Sequence, residues 1–246
     1  MILKKKYNMK KIYSKYYIIN CQNCSTYKLC ISYKFNKFEL KNFNKIITRR
    51  KLVQKGDILF RAKDKMNFLY TVQSGTIKSY NFTKQGDEQI IKFHLTSDLI
   101  GLDSINNNGM YHSFSQALET SMLCEISLKI FNNIMIEIPT IGKKIINLMS
   151  QEIKIYYNFI LLLSRRNAEK KIATFIYDLS RKFRIRGLSK KEFNLSMNRS
   201  DIGNYLGLTV ETISRVLSKF KKDGMLIIQG KHIIINNYLK LINLIN

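Results

Sequence analysis

The sequence predicts an α+β chain in three parts: an N-terminal antiparallel β-roll, a long dimerisation helix and a C-terminal winged helix-turn-helix. Three observations predict it. Between about residues 50 and 130, short apolar segments are split by turn signals at the roughly 8–12 residue spacing of antiparallel strands. After Pro139, the only proline, no breaker but Gly142 interrupts the chain before about residue 166. Further on, two short helix patterns meet at a glycine, and two strand patterns then flank Gly230-Lys231.

Length and composition bound the reading. The 246 residues suit two modest domains, and 45% hydrophobic content can bury a core. The longest apolar run, around 159–163, is too short to span a bilayer. The N-terminus MILKKKYNMKKIYSKYY has charge but no apolar signal core, so a cytoplasmic location is expected. The net charge of +25 suits a nucleic-acid partner. Lys, Asn and Ile are abundant throughout, as AT-rich coding would give, so the charge alone does not identify that partner.

Residues 1–20 read as a basic arm. Residues 21–135 read as the cysteine cluster and roll, 136–167 as the dimerisation helix, and 168–246 as the DNA-binding domain. Within the roll the turn signals are Lys55-Gly56-Asp57, Ser74-Gly75, Gln85-Gly86-Asp87, Ser97-Asp98 and Asn106-Asn107-Asn108-Gly109. SGTIKSYNF and EQIIKFHL read as two strands joined through Gly86-Asp87.

Pro139 suits the first turn of a helix, where its missing N–H costs nothing. In that helix Ile146, Met149, Ile153, Tyr156, Ile160 and Leu163 are spaced 3-4-3-4-3, an a/d seam for a second copy of the chain. Ile145, Leu148 and Leu161 lie on other faces and are expected to pack on the roll.

The C-terminal run NRSDIGNYLGLTVETISRVLSKFKKDGML carries helix-turn-helix spacing. Asn198 caps a helix over Arg199–Leu206, Gly207 supplies the turn, and Thr209 caps a second helix over about 210–222. Ile202, Leu206, Leu208, Ile213 and Val216 lock the two together, with the small Gly203 at their closest approach. On the second helix Glu211, Ser214 and Arg215 share one face near the N-terminus, where recognition helices meet base edges. Arg215 can donate twice to guanine, and Glu211 can accept from cytosine. Arg199, Thr209 and Thr212 complete the candidate DNA contacts. Lys219, Lys221, Lys222 and Lys231 are expected to meet phosphates.

Four cysteines carry the remaining chemistry. Cys21, Cys24 and Cys30 fall in CQNCSTYKLC, and Cys124 alternates with Met122 and Ile126 as in a strand. Four thiolates suit either a cubane iron–sulfur cluster or a tetrahedral zinc. His94, His112 and His232 are scattered, and no nucleophile elbow, P-loop or metal-type His pair is present, so an enzyme is not expected.

These parts resemble the CRP/FNR family of transcription regulators, from Cys21 to about residue 237. SGTIKSY, QGDEQI, QALETSM, ILLLS and DIGNYLGLTVETISR carry the resemblance, and the cysteine pattern resembles the family's oxygen-sensing branch. The resemblance implies a cyclic-nucleotide-binding-like roll and a [4Fe-4S] cluster on Cys21, Cys24, Cys30 and Cys124. It also implies an anaerobic homodimer on a palindromic double-stranded DNA site with half-sites like TTGAT. Oxygen would convert the cluster to [2Fe-2S] and end DNA binding, so genes of anaerobic metabolism would be activated or repressed. Gly86 and Asp87 would lie in a surface that meets RNA polymerase. Tyr156 departs from the pattern, standing where close relatives carry an acidic residue, which implies dimerisation less dependent on the cluster. The stretch GLDSINNNGMYHSFSQALET has no arginine, so no cyclic nucleotide is expected. Sensing through zinc or thiols, or a constitutive dimer without oxygen control, are the alternatives.

Overall fold

A computed structural model describes residues 20–33, 35–105, 108–165 and 167–245. The basic arm of residues 1–19, and Asn106 and Asn107 of one predicted turn, lie outside them. No helix among the described residues is long and apolar enough to cross a membrane.

The turn signals do what the sequence predicts, dividing an antiparallel roll into two four-stranded sheets. One orders as β1-β8-β3-β6, from Ile47–Val53, Ser121–Ser127, Phe68–Ser74 and Leu99–Ile100. The other orders as β2-β7-β4-β5, from Ile58–Phe60, Phe114–Ala117, Ile77–Phe82 and Glu88–His94. Gly75 illustrates how tight the corners are. Its φ is +91°, and a Cβ there would stand 2.1 Å from Ser121 Oγ. Two helices flank the roll that the spacing of apolar residues did not single out: α1 (Lys37–Ile46) and α2 (Leu128–Glu137). A capping box between Asn36 and Glu39 starts α1.

Pro139 opens α3, which runs Pro139–Arg165. Ile141 and Ile145 are buried in the roll core, and Leu148 packs against it. Leu161 does not join them and is 55% exposed, which corrects the expectation that it faces the roll. Past the roll the inner face of α3 carries Phe159 and Leu162, which enter the core of the C-terminal half. Each residue advances about 100° round a helix, so burying Leu162 turns Leu161 outward.

The C-terminal half comprises α4 (Ala168–Ile185), β9 (Glu192–Asn194), α5 (Arg199–Leu206), α6 (Val210–Lys222), the hairpin β10 (Leu226–Gln229) and β11 (His232–Ile235), and α7 (Tyr238–Ile245). The three strands order as β10-β11-β9 and form the wing. Its core also takes in Tyr80, Ile90, Phe93, Leu95 and Leu118 of the roll, so the two halves share one apolar contact. Tyr205 of α5 stacks on Phe159 of α3 at 4.3 Å and lies 5.0 Å from Phe93 of β5.

Polar groups fix the register of that contact. Among the described residues β5 is an edge strand, with a row of backbone groups that no strand pairs. Asn204 of α5 fills this edge as a further strand would: Ile90 N–H donates to its Oδ1 at 2.6 Å, and its Nδ2 donates to Glu88 O at 2.6 Å. Gln89 Nε2 donates to Asn204 O at 2.9 Å. Asp201 lies 3.6 Å from Lys78, and Arg186 pairs with Asp98 at 2.7 Å. Replacing Asn204 with Ala leaves two part-buried backbone groups without this partner, at a cost of about 1–3 kcal/mol. Hydrogen exchange at the Ile90 amide is expected to quicken at least tenfold in Asn204→Ala, by about the size of a lost hydrogen bond; an unchanged rate would mean that the clip contributes nothing.

Candidate cluster pocket and nucleic-acid interface

Cys21, Cys24 and Cys30 sit on a spiral of tight turns. Cys24 N–H donates to Cys21 O, Tyr27 N–H to Cys24 O and Cys30 N–H to Tyr27 O, each within 3.0–3.1 Å. Asn44 of α1 anchors the spiral by accepting from Cys21 N–H at 3.2 Å. The spiral lies over the outer face of β1, β8 and β3, and Cys124 stands on β8 beneath it. All four cysteines line one pocket, together with Phe43, Ile47 and Ile126 on its apolar side. None is in a disulfide.

Burial pushes the Cys21 thiol up to about 12, with Cys30 adding to it, and Cys124 up to about 11, with Cys24 adding to it. Thiols so placed hold their protons unless a cation draws them off. Arg50, which also lines the pocket, acts against that rise at Cys124. Four soft sulfur donors round one pocket fit an iron–sulfur group. Among the described residues no three His, Cys, Asp or Glu side chains gather into a group that could hold a single metal ion.

Two contacts tie this pocket to α3. Glu39 of α1 accepts a hydrogen bond from Thr140, which holds its carboxyl below the usual carboxylate range. Lys144 Nζ lies 3.9 Å from the centre of the Phe35 ring. Nothing in the spacing of the sequence marked these four residues.

On α3, Ile146, Ile153 and Ile160 are each more than half exposed, and Met149 is 39% exposed. Tyr156 and Leu163 are partly buried. Met149, Ile153 and Tyr156 also line a second pocket that α3 shares with its own roll. There burial and then Glu152 push the Tyr156 hydroxyl up to about 12. The cation at this pocket, Lys92, is paired with Glu152, and Asp103 adds a second carboxylate.

The helix-turn-helix forms as its caps dictate. Asn198 and Asp201 make a reciprocal capping box, Gly207 takes φ +63°, and Thr209 caps α6 by accepting from Thr212 N–H. Ile202, Leu206, Ile213 and Val216 are buried, with Leu208 packed on them. Glu211 and Arg215 are exposed on α6. Glu211's own backbone N–H, and then the Thr209 hydroxyl, hold its carboxyl low. Arg199 Nη1 donates to Ser214 Oγ at 2.9 Å, so these two candidates support each other across the two helices. Lys221 and Lys222 are exposed; Lys219 pairs with Glu169 at 2.7 Å, and Lys231 donates to Ser196 O at 2.8 Å. Gly86 and Asp87 form an exposed turn beside Phe82, which is 52% exposed.

A roll joined through one long helix to a winged helix-turn-helix defines a DNA-binding transcription regulator. Residues 170–244 match the Crp-like helix-turn-helix domain family, and residues 50–137 match the cyclic nucleotide-binding domain family. The chain is 53% identical to the fumarate and nitrate reduction regulatory protein of Escherichia coli (strain K12) over 219 residues, 89% of this chain and 87% of the relative. It is 52% identical to the anaerobic regulatory protein of Aggregatibacter actinomycetemcomitans over 227 residues, 92% and 88% of the two chains. Among solved structures, FixK2 from Bradyrhizobium japonicum superposes with TM-score 0.73 at 27% identity, over 80% of this chain and 96% of that one. This chain belongs to the CRP/FNR family of transcription regulators.

The turn between the two helices leaves no room for a larger residue. A Cβ at Gly203 would stand 2.6 Å from Leu208 O, a backbone atom that cannot rotate away. Gly203→Ala is expected to destabilise the C-terminal half by about 1–3 kcal/mol through overpacking. Thermal unfolding of the variant checks this, and an unchanged melting temperature would show that the turn can shift at no cost.

Proposed function

We propose that this chain is an oxygen-responsive regulator, cytoplasmic, which binds DNA as a [4Fe-4S]-loaded homodimer when oxygen is absent and so activates or represses genes of anaerobic metabolism. The observation that carries the reading is the convergence of Cys21, Cys24, Cys30 and Cys124 on one pocket. The names of the relatives, which concern fumarate and nitrate reduction and anaerobic regulation, support it.

The four cysteines would hold the cluster, which supplies an oxygen-labile bond between the spiral and β8. This chain's own residues do the rest. The spiral continues into Phe35 and Glu39, which grip Lys144 and Thr140 on the first turns of α3. The exposed apolar seam begins at Ile146. Release of the spiral therefore loosens the end of the helix that a partner would pack against. With the partner in place, Met149, Ile153, Tyr156, Ile160 and Leu163 complete the seam. Tyr156 brings apolar area in place of repulsion, so dimerisation is expected to depend less on the cluster.

On a palindromic site, each α6 would present Arg215, Glu211 and Ser214 to base edges, with Arg199, Thr209 and Thr212 beside them. The turn at Gly86 and Asp87, with Phe82, would face RNA polymerase. The pocket shared by α3 and the roll has no arginine to meet a cyclic phosphate, and its lysine already has a carboxylate partner, so no cyclic nucleotide is assigned to it.

Two experiments test the reading. Protein purified without oxygen is expected to carry about four irons and four sulfides per chain, with a charge-transfer band that changes in air. Cys124→Ser is expected to lose it. Zinc in stoichiometric amount, or iron retained by Cys124→Ser, would defeat the cluster assignment. For the DNA-reading face, Arg215→Ala is expected to cost about 1–3 kcal/mol at a cognate site and to relax preference at one base pair. Lys221→Ala should weaken all sequences alike and lower the salt slope by about 1. Equal losses on specific and random DNA for Arg215→Ala would mean that it contacts phosphate.

A further inference from the structure

Among the described residues, five buried side-chain polar atoms have no hydrogen-bond partner. Three of them, Ser32 Oγ, Thr71 Oγ1 and Gln73 Oε1, line the pocket of the four cysteines. Folded proteins leave few such groups, because each gives up water and receives nothing in return. Thr26, which also lines the pocket, bonds the Cys24 thiol, but these three find no partner within the chain, and their gathering in one pocket marks a place where polar partners are expected from outside it.

The two hydroxyls are well placed for this. Ser32 is fully buried and lies two residues beyond Cys30. Its Oγ faces the Cys21 thiol without meeting a partner at hydrogen-bonding geometry. Thr71, 4% exposed, stands directly opposite Cys124 in the β3–β8 ladder, so its side chain and the Cys124 thiol share one face. One hydroxyl enters from the spiral and the other from the sheet. An apolar residue of the same shape at either site would spare the desolvation. A hydroxyl O–H is a donor, and sulfur atoms of an iron–sulfur group are acceptors. Gln73 Oε1 accepts rather than donates and has no part here.

We infer that Ser32 and Thr71 donate hydrogen bonds to the sulfur atoms of the group held by the four cysteines, and thereby set how readily that group is oxidised. This rests on the [4Fe-4S] reading of the pocket. Hydrogen bonds to cluster sulfur stabilise the electron-richer state and raise the reduction potential. Removing one makes the cluster easier to oxidise. The two residues position and tune; they are not ligands.

The test uses Ser32→Ala, Thr71→Val and the hydroxyl-keeping Thr71→Ser in the full chain, each measured with and without the cluster. In the anaerobically loaded protein, Ser32→Ala and Thr71→Val are expected to lower the midpoint potential and to quicken bleaching in air several-fold, while Thr71→Ser stays near wild type. In the cluster-free protein the same two substitutions are expected to leave the melting temperature unchanged or raised, because an unpaired hydroxyl has gone. A loaded protein whose potential and bleaching rate ignore both substitutions overturns the inference. So does a cluster-free protein that both substitutions destabilise while the potential holds, since the hydroxyls would then be structural. Wild-type protein that takes up no iron defeats the cluster reading first, and the inference falls with it; that outcome is distinct because it precedes any comparison of variants.

Discussion

The gathering of four thiols in one pocket against the outer face of one sheet is the constraint on which the rest depends. Cys124 sits on β8, between β1 and β3, where it cannot move without moving the sheet. The other three arrive on a spiral of short turns anchored to α1 through Asn44. Burial favours the protonated thiol at Cys21 of the spiral and at Cys124 of the sheet. Whatever replaces those protons with bonds joins the two. The spiral leads into α1, and α1 grips the first turns of α3, so a bond made at sulfur is felt at the start of the long helix.

α3 serves two masters along its length. Its first half gives Ile141 and Ile145 to the roll core, and its second half gives Leu162 to the core of the C-terminal half. Isoleucines on the remaining face stay exposed over the whole distance. One helix thus touches the roll and the DNA-reading half and carries an exposed apolar stripe of its own. No part of the chain can shift along its axis without disturbing all three.

What could be read from the sequence was what is encoded locally. Asn198, Gly207 and Thr209 specify caps and a turn within a few residues of one another, so the helix-turn-helix needed no knowledge of the rest. Turn signals and Pro139 likewise marked the roll and the start of α3. The cysteines were visible by their type and spacing, although the pocket that joins them is a tertiary fact. Contacts across long separations left no local trace. Asn204 reads as an ordinary helix residue, and its partner Ile90 as an ordinary strand residue; only the docked halves show that one completes the edge of the other. Thr71 and Ser32 look like any small polar residues until the pocket brings them beside sulfur. Leu161 misled because its neighbour Leu162 is equally apolar, and only the packing of α4 and α5 chooses between them.

The side chain of Asn204 also bears on solubility. While the two halves are docked, the rim of β5 is capped by an amide. If the DNA-reading half swings away, that rim becomes a bare template for any passing strand. A regulator with this construction cannot undock freely without becoming sticky, so its motions on DNA are confined to those that carry the roll and the winged helix together.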